Sequence, residues 1–269
     1  MAKEAYRLER RREPLPTRVQ DTPTLPEAYH DALDVGLAGM GLALDAATRE
    51  AVDGHARLLL AWTRAINLTS IREPGAVALG HVIDSLSGHA VLEGRRPRRL
   101  LDLGSGGGYP GIPLAATLGG PPSAPEVTLL EPIGKKARFL STVAKATELA
   151  KRVRVDARRA EAIAQDCSDE PWDVVSARAV ATTADLIELA FPLLTPGGSL
   201  VAWKRGDLAS ELAAAGRAID ALGGGDIEVV EVHVAGLDGH RLVIATRSAD
   251  GNVPDRFPRD PAQRKRTPW

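Results

Sequence analysis

A single cysteine, Cys167, among 269 residues excludes an internal disulfide framework and any metal site built from several cysteines, and it suits a reducing compartment. No run of about eighteen apolar residues occurs, so nothing reads as a membrane-spanning helix. The N-terminus carries Arg10, Arg11, Arg12 and Glu13 in place of the apolar core of a signal peptide, and the chain is expected in the cytoplasm. Charge of one sign is lacking as well: the formal net charge is -1, and the whole-molecule field announces no polyanionic partner. Internal repeats and low-complexity segments are absent. What is present, 44% hydrophobic and 26% charged residues, suits one well-buried core with an appended segment.

The basic residues are nevertheless clustered: Lys3, Arg7 and Arg10 to Arg12; Arg95, Arg96, Arg98 and Arg99; Lys151, Arg152 and Arg154; and Arg256, Arg259, Arg264, Lys265 and Arg266. One such cluster is an ordinary solvated face, but several together count toward a polyanionic substrate. Residues 1–25, rich in arginine and proline without an apolar period, read as a mobile basic arm. From 26 to 93 the pattern is helical. Leu44, Ala47, Ala51, Val52, His55, Leu58, Leu59 and Trp62 recur at three- and four-residue spacing behind a capping Asp45, and a second helix starting at Pro74 places His81, Asp84 and Ser85 on one face.

Residues 94–248 change class. Strand-like runs at 99–103, 127–130, 153–155, 173–176, 199–203, 227–234 and 241–246 are mostly separated by helical segments, which predicts a largely parallel sheet covered on both faces. The link at 235–239 is too short for a parallel crossover, so the last two strands must be antiparallel. This pattern resembles the Rossmann-like, seven-stranded class I methyltransferase fold. Residues 249–269 form a basic, proline-rich tail.

The glycine cluster after the first run, Asp102-Leu103-Gly104-Ser105-Gly106-Gly107-Gly108-Tyr109-Pro110-Gly111, reads as a buried strand entering a turn whose backbone can approach a ligand closely. A glycine loop alone also suits NAD. Three acids favour S-adenosyl-L-methionine. Asp102 stands two residues before the first glycine, which resembles the class I methyltransferase signature and implies that this acid organises the donor's amino group. Glu131 ends the second strand, where an acid accepts from ribose hydroxyls, and Glu161 follows Arg158, Arg159 and Ala160 after the third strand, where adenine would lie. The methyl acceptor is narrowed by what is missing. After the fourth strand, Val175-Ser176-Ala177-Arg178-Ala179-Val180 replaces the Asn-Pro-Pro-Tyr-like run that holds an exocyclic amine, and Cys167 in a polar segment is a poor carbon-directed nucleophile. A ring nitrogen such as the 7-position of guanine has no proton to lose, so positioning alone could suffice.

At this point the chain resembles the bacterial small-subunit (16S) ribosomal RNA guanine-7-methyltransferases, the GidB or RsmG family, from about Asp45 to the C-terminus. The resemblance rests on Ile66-Asn67-Leu68-Thr69-Ser70-Ile71-Arg72, His81-Val82-Ile83-Asp84-Ser85-Leu86, the glycine loop through Pro113, Glu131-Pro132-Ile133-Gly134-Lys135-Lys136 with Ala137 to Leu140, Arg159-Ala160-Glu161, Ser176-Ala177-Arg178-Ala179, and the basic tail. It implies cofactor contacts at Gly104, Tyr109, Ala160, Glu161 and Arg178, to which the residue reading adds Asp102, Gly106 and Glu131. Arg178, Lys204 and His81 are the expected catalytic set, with Asn67, Arg72 and Lys204 on the RNA and no metal. Thr63 and Arg205 depart from the family's usual Trp-Asn-Lys and Lys-Gly pairs. Trp62 and Trp203 are expected in the core and Trp269 in a disordered end. The expected partner is 16S rRNA or the small ribosomal subunit, bound by a monomer. A small-molecule or protein methyltransferase and a non-catalytic RNA-binding or assembly protein remain open alternatives.

Overall fold

The computed structural model describes residues 14–119, 123–166 and 168–269. Cys167 and the first thirteen residues, including Lys3, Arg7 and Arg10 to Arg12, lie outside them. Seven strands, β1 (Arg99–Leu103), β2 (Glu126–Leu130), β3 (Val153–Asp156), β4 (Trp172–Arg178), β5 (Leu194–Arg205), β6 (Ile227–Glu231) and β7 (His240–Thr246), form one sheet in the order β3-β2-β1-β4-β5-β7-β6. All pairings are parallel except those of β7 with β5 and β6. The order reverses between β1 and β4, the switch point outside whose carboxyl ends such sheets bind ligands.

Helices α1 (Glu27–Gly39), α2 (Ala46–Thr63), α3 (Pro74–Val77), α4 (Asp84–Leu86) and α5 (His89–Arg95) precede the sheet. Asp45 caps α2 by accepting from the Thr48 amide at 2.7 Å. The α2 stripe of Val52, Ala56, Leu59 and Trp62 shares one hydrophobic core with Leu100 of β1, Val127 of β2 and the helices α6 (Gly111–Thr117) and α7 (Gly134–Ala146). On β1 the side chains alternate: Leu100 belongs to this core, whereas Leu101 and Leu103 enter a second core with α8 (Ala160–Asp166), α9 (Thr183–Ala190) and α10 (Ala209–Ala221). The helix expected from Pro74 is interrupted. Between α3 and α4, Ala78–Ile83 makes a π-helical turn, which displaces the backbone and puts His81 on the sheet's carboxyl edge.

Two expectations about the chain ends are corrected. Residues 14–25, expected within a mobile arm, are held on α2: the Trp62 indole donates to the Pro16 carbonyl at 2.8 Å, and Arg57 Nε donates to the Pro23 carbonyl at 2.9 Å. The extended proline-rich backbone leaves its carbonyls free for such donors. Trp269, expected disordered, is tied to the second core. Its indole donates to Glu188 of α9 at 2.7 Å and its ring lies tilted 5.8 Å from that of Phe257, the two residues flanking a short helix α11 (Pro261–Arg266). Glu188 is fully buried and is paired with Arg259 at 2.6 Å. Arg259→Ala would leave that carboxylate without its cation, so we expect a loss of about 3–5 kcal/mol in chemical denaturation; a loss below about 1 kcal/mol would show that the tail does not stabilise the fold.

Candidate functional site

A cavity of about 850 Å³ opens at the carboxyl edge, running from Glu131, Ile133 and Lys136 past the glycine loop and Arg178 to Trp203, Lys204, Arg205 and His240. Its floor is the turn after β1. Gly104 and Gly108 have φ of +72° and +90°, and a Cβ would lie 2.7 Å from Val180 at the first and 2.8 Å from His55 at the second. Glu131, buried, accepts from the Gly106 amide through one carboxylate oxygen and from the Ile133 amide through the other, both at 2.9 Å. Each oxygen keeps a further lone pair for a hydroxyl.

Above the loop, three rings stack: Tyr109 lies between His55, at 4.3 Å, and His81, at 4.8 Å, with the Arg178 guanidinium 5.6 Å from the Tyr109 centroid. His55 donates from Nε2 to the Gly107 carbonyl at 2.7 Å, fastening the loop to α2. Arg178 donates to the Gly80 carbonyl at 2.9 Å, to Asp84 at 2.7 Å and to His81 Nδ1 at 2.9 Å. The π-turn therefore supplies one of the arginine's acceptors, the Gly80 carbonyl.

Burial is the main cause that lowers the His55 pKa to about 3. It also lowers that of His81 to about 4, aided by the Arg178 charge. Both are neutral at pH 7, while in the unfolded chain both protonate near pH 6.5. With folded pKa values below the unfolded ones, their stabilising contribution is complete above about pH 6.5 and is lost as pH falls toward 3 to 4. We expect the thermal midpoint to drop between pH 7 and 5, and His55→Phe to flatten that drop; an unchanged slope would contradict a buried neutral His55.

The residues expected at the site divide. Gly104, Gly106, Tyr109, Glu131, His81, Arg178 and Lys204 line the cavity. Asp102 does not. It is fully buried, desolvation raises its pKa to about 6, and its oxygens accept from Ser176 Oγ at 2.9 Å and the Gly111 amide at 3.2 Å, so it secures the loop to β4 and α6 from behind the cavity wall. Ala160 and Glu161 at the start of α8 are likewise absent from the wall, and Glu161 is paired with Arg264 of α11. Lys204 is no free phosphate ligand: its ammonium donates to the Ala181 carbonyl at 2.8 Å and pairs with Glu211. His81 and Asp84 do not bond each other. His81 Nε2 meets Thr69 at 2.7 Å, whereas Asp84 binds Arg178 and His240. Asn67 is exposed just outside the cavity, and Arg72 lines an adjoining groove with Arg57 and Arg64. His55, Thr69, Ile133, Lys136, Val180 and His240 were not singled out from sequence. His55 carried a signal there as a polar residue on the apolar stripe of α2, and Thr69, Ile133 and Lys136 lay inside the runs that carry the family resemblance.

The cavity's glycine end suits an adenosyl cofactor on its own geometry. The Tyr109 hydroxyl is buried without a partner among the described residues, and Ile133 and Val180, exposed by 46% and 40%, offer apolar surface beside the polar loop. No cluster that could hold a metal ion occurs among the described residues, and none of their helices is long and apolar enough to cross a membrane.

Comparison with known proteins adds to this geometry. Residues 48–240 match the family GidB, rRNA small subunit methyltransferase G. The chain belongs to this family. The ribosomal RNA small subunit methyltransferase G of Chloroflexus aggregans is 41% identical over 203 residues, covering 75% of this chain and 82% of that protein. The protein of the same name from Dehalococcoides mccartyi strain CBDB1 is 35% identical, covering 87% and 97%. The fold of this methyltransferase is that of the class I adenosylmethionine-dependent enzymes: an O-methyltransferase from Bacillus cereus in complex with SAH superposes with a TM-score of 0.54 at 16% identity, covering 80% and 97%. TomG from Streptomyces achromogenes, in complex with SAM, gives 0.53 at 18% identity, covering 81% and 96%.

Proposed function

We propose that this chain methylates the 7-position nitrogen of a guanosine in small-subunit (16S) rRNA, with S-adenosyl-L-methionine as donor. The observation that carries the reading is the continuous cavity, with the glycine turns and Glu131 at one end, the unpartnered Tyr109 hydroxyl and the Arg178 cluster along its middle and His240 at the other end, in a chain of this family. When bound, adenosylmethionine supplies an electrophilic methyl group on a sulfonium. Gly104, Gly106 and Tyr109 would hold its methionine part and Glu131 its ribose, while Ile133 covers the adenine.

The guanine ring nitrogen keeps a lone pair and carries no proton, so the protein needs to align it and needs no base for it. Arg178, its charge balanced by Asp84, fixes the pocket wall; His81, with both ring nitrogens engaged, packs Tyr109 in place. Lys204 positions the end of β5 through Glu211. Arg72 and Arg205, whose side chains have no hydrogen bond or ion pair among the described residues, are cations free to meet RNA phosphate beside Asn67, as are Arg64 and Lys136, and binding should weaken as salt rises. The base must be unpaired or flipped out to enter. A ribosomal substrate supports a cytoplasmic location, and the chain is proposed to act as a monomer.

Tritiated methyl transfer to purified small subunits lacking the mark tests the reading. Label in RNA is expected; label in protein, or none, would overturn it.

A further inference from the structure

We propose that His240, oriented by Asp84, receives the N1–H edge of the target guanine while the opposite nitrogen is methylated. This rests on the guanosine reading above. Asp84 is 5% exposed and both its oxygens are committed: one accepts from Arg178 at 2.7 Å, the other meets His240 Nδ1 at 2.8 Å. A carboxylate offers only lone pairs, so Nδ1 is the donor and the ring is locked. Nε2 has no hydrogen bond among the described residues and is not among the buried unpartnered atoms, so it is open on a residue that lines the cavity.

Its place in the sheet decides what it meets. His240 opens β7 opposite Arg205 at the end of β5, whereas Glu131 follows β2, and β1, β4 and β5 lie between β2 and β7. His240 thus stands at the end of the cavity remote from the ribose acid. In guanine the 2-amino group lies across the bicycle from N7, and N1–H stands beside it on the same edge. A base that turns N7 toward the glycine loop turns that edge toward β7.

The chemistry gives the contact its purpose. As the carbon–sulfur bond breaks and the carbon–N7 bond forms, sulfur keeps the bonding pair and positive charge passes to the guanine ring. N1 keeps its proton, which becomes a stronger donor, so a bond to Nε2 tightens in the transition state and adds to kcat. Asp84 behind the imidazole keeps the proton on Nδ1 and so the lone pair on Nε2. Adenine presents an acceptor at N1 and would set two lone pairs against each other, so the arrangement also rejects it.

The test uses the full chain and an RNA fragment containing the guanosine that it labels, with guanosine or 1-methylguanosine at that position. The wild-type chain should lose about tenfold or more in kcat/KM on 1-methylguanosine. His240→Ala should be slower by about tenfold on guanosine, with the two substrates brought within about twofold and adenosylmethionine affinity unchanged in calorimetry; His240→Gln, which keeps an acceptor, should recover part of the rate. An alanine variant at wild-type rate, or one slowed equally on both substrates, overturns the assignment. If the wild-type chain leaves N7 of guanosine unmethylated, it is the proposed function that fails.

Discussion

Arg178→Ala is expected to lower methyl transfer by about a hundredfold or more. The guanidinium joins three elements: it ends β4, holds the π-turn through the Gly80 carbonyl and His81, and balances buried Asp84, while lying over the Tyr109 ring. Alanine removes a preorganised cation from the cavity wall and strands a carboxylate that is 5% exposed. Loss of such a wall group costs about two orders of magnitude in rate, and an unpaired buried charge costs about 3–5 kcal/mol in stability. Lysine should not restore activity, because one ammonium cannot span the three acceptors in the fork geometry of a guanidinium. Single-turnover methyl transfer, read beside the thermal midpoint, checks both effects. A folded alanine variant within about threefold of wild type would remove Arg178 from the machinery.

Glu131→Ala is expected to act on the cofactor end, raising the adenosylmethionine dissociation constant by about thirty- to hundredfold. Two backbone amides, of Gly106 and Ile133, lose their shared acceptor, so the loop that the donor lies on loses its outer tie together with the acceptor for ribose. Hydrogen bonds to a charged group contribute about 1.5–3 kcal/mol each, and part of that is recovered by water in the open cavity. Glutamine keeps one acceptor oxygen and should fall between the two. Titration calorimetry with the cofactor alone reads this directly; affinity within about threefold of wild type would show that Glu131 does not serve the donor.

Much of this arrangement was legible in the chain because it is written in local pattern. The number of strands and their mostly parallel sense follow from apolar runs and link lengths, and the antiparallel pairing of β6 with β7 from a link too short for a crossover, although β6 ends at Glu231 and the link is longer than the 235–239 expected. The glycine turn is local too, since only glycine accepts the φ values of 104, 106 and 108 without strain. The side chains of the site were less legible, because their roles depend on partners far away in sequence. Asp102 looked like a ligand group, but it is fully buried behind the loop, where it binds Ser176 and the Gly111 amide. Lys204 looked free until Glu211, seven residues later on α10, folded back onto it. Glu161 was matched with adenine from its place after β3, and nothing nearby foretold Arg264. His240 had no motif at all; only the closing of β7 against β5 brings it to Asp84. The tail misled by composition, since its arginines and prolines suggest disorder while Glu188, buried and in need of a cation, holds Arg259 in place.

The central claim is the identity of the methylated atom. Nucleoside mass spectrometry of 16S rRNA from cells with and without this chain, with strand cleavage at 7-methylguanosine to locate it, tests that claim most directly. We predict that one 7-methylguanosine disappears when the chain is removed and returns when the wild-type chain, but not Arg178→Ala, is supplied. An unchanged set of 7-methylguanosines, with a different nucleoside or a protein side chain losing its methyl group instead, would contradict it.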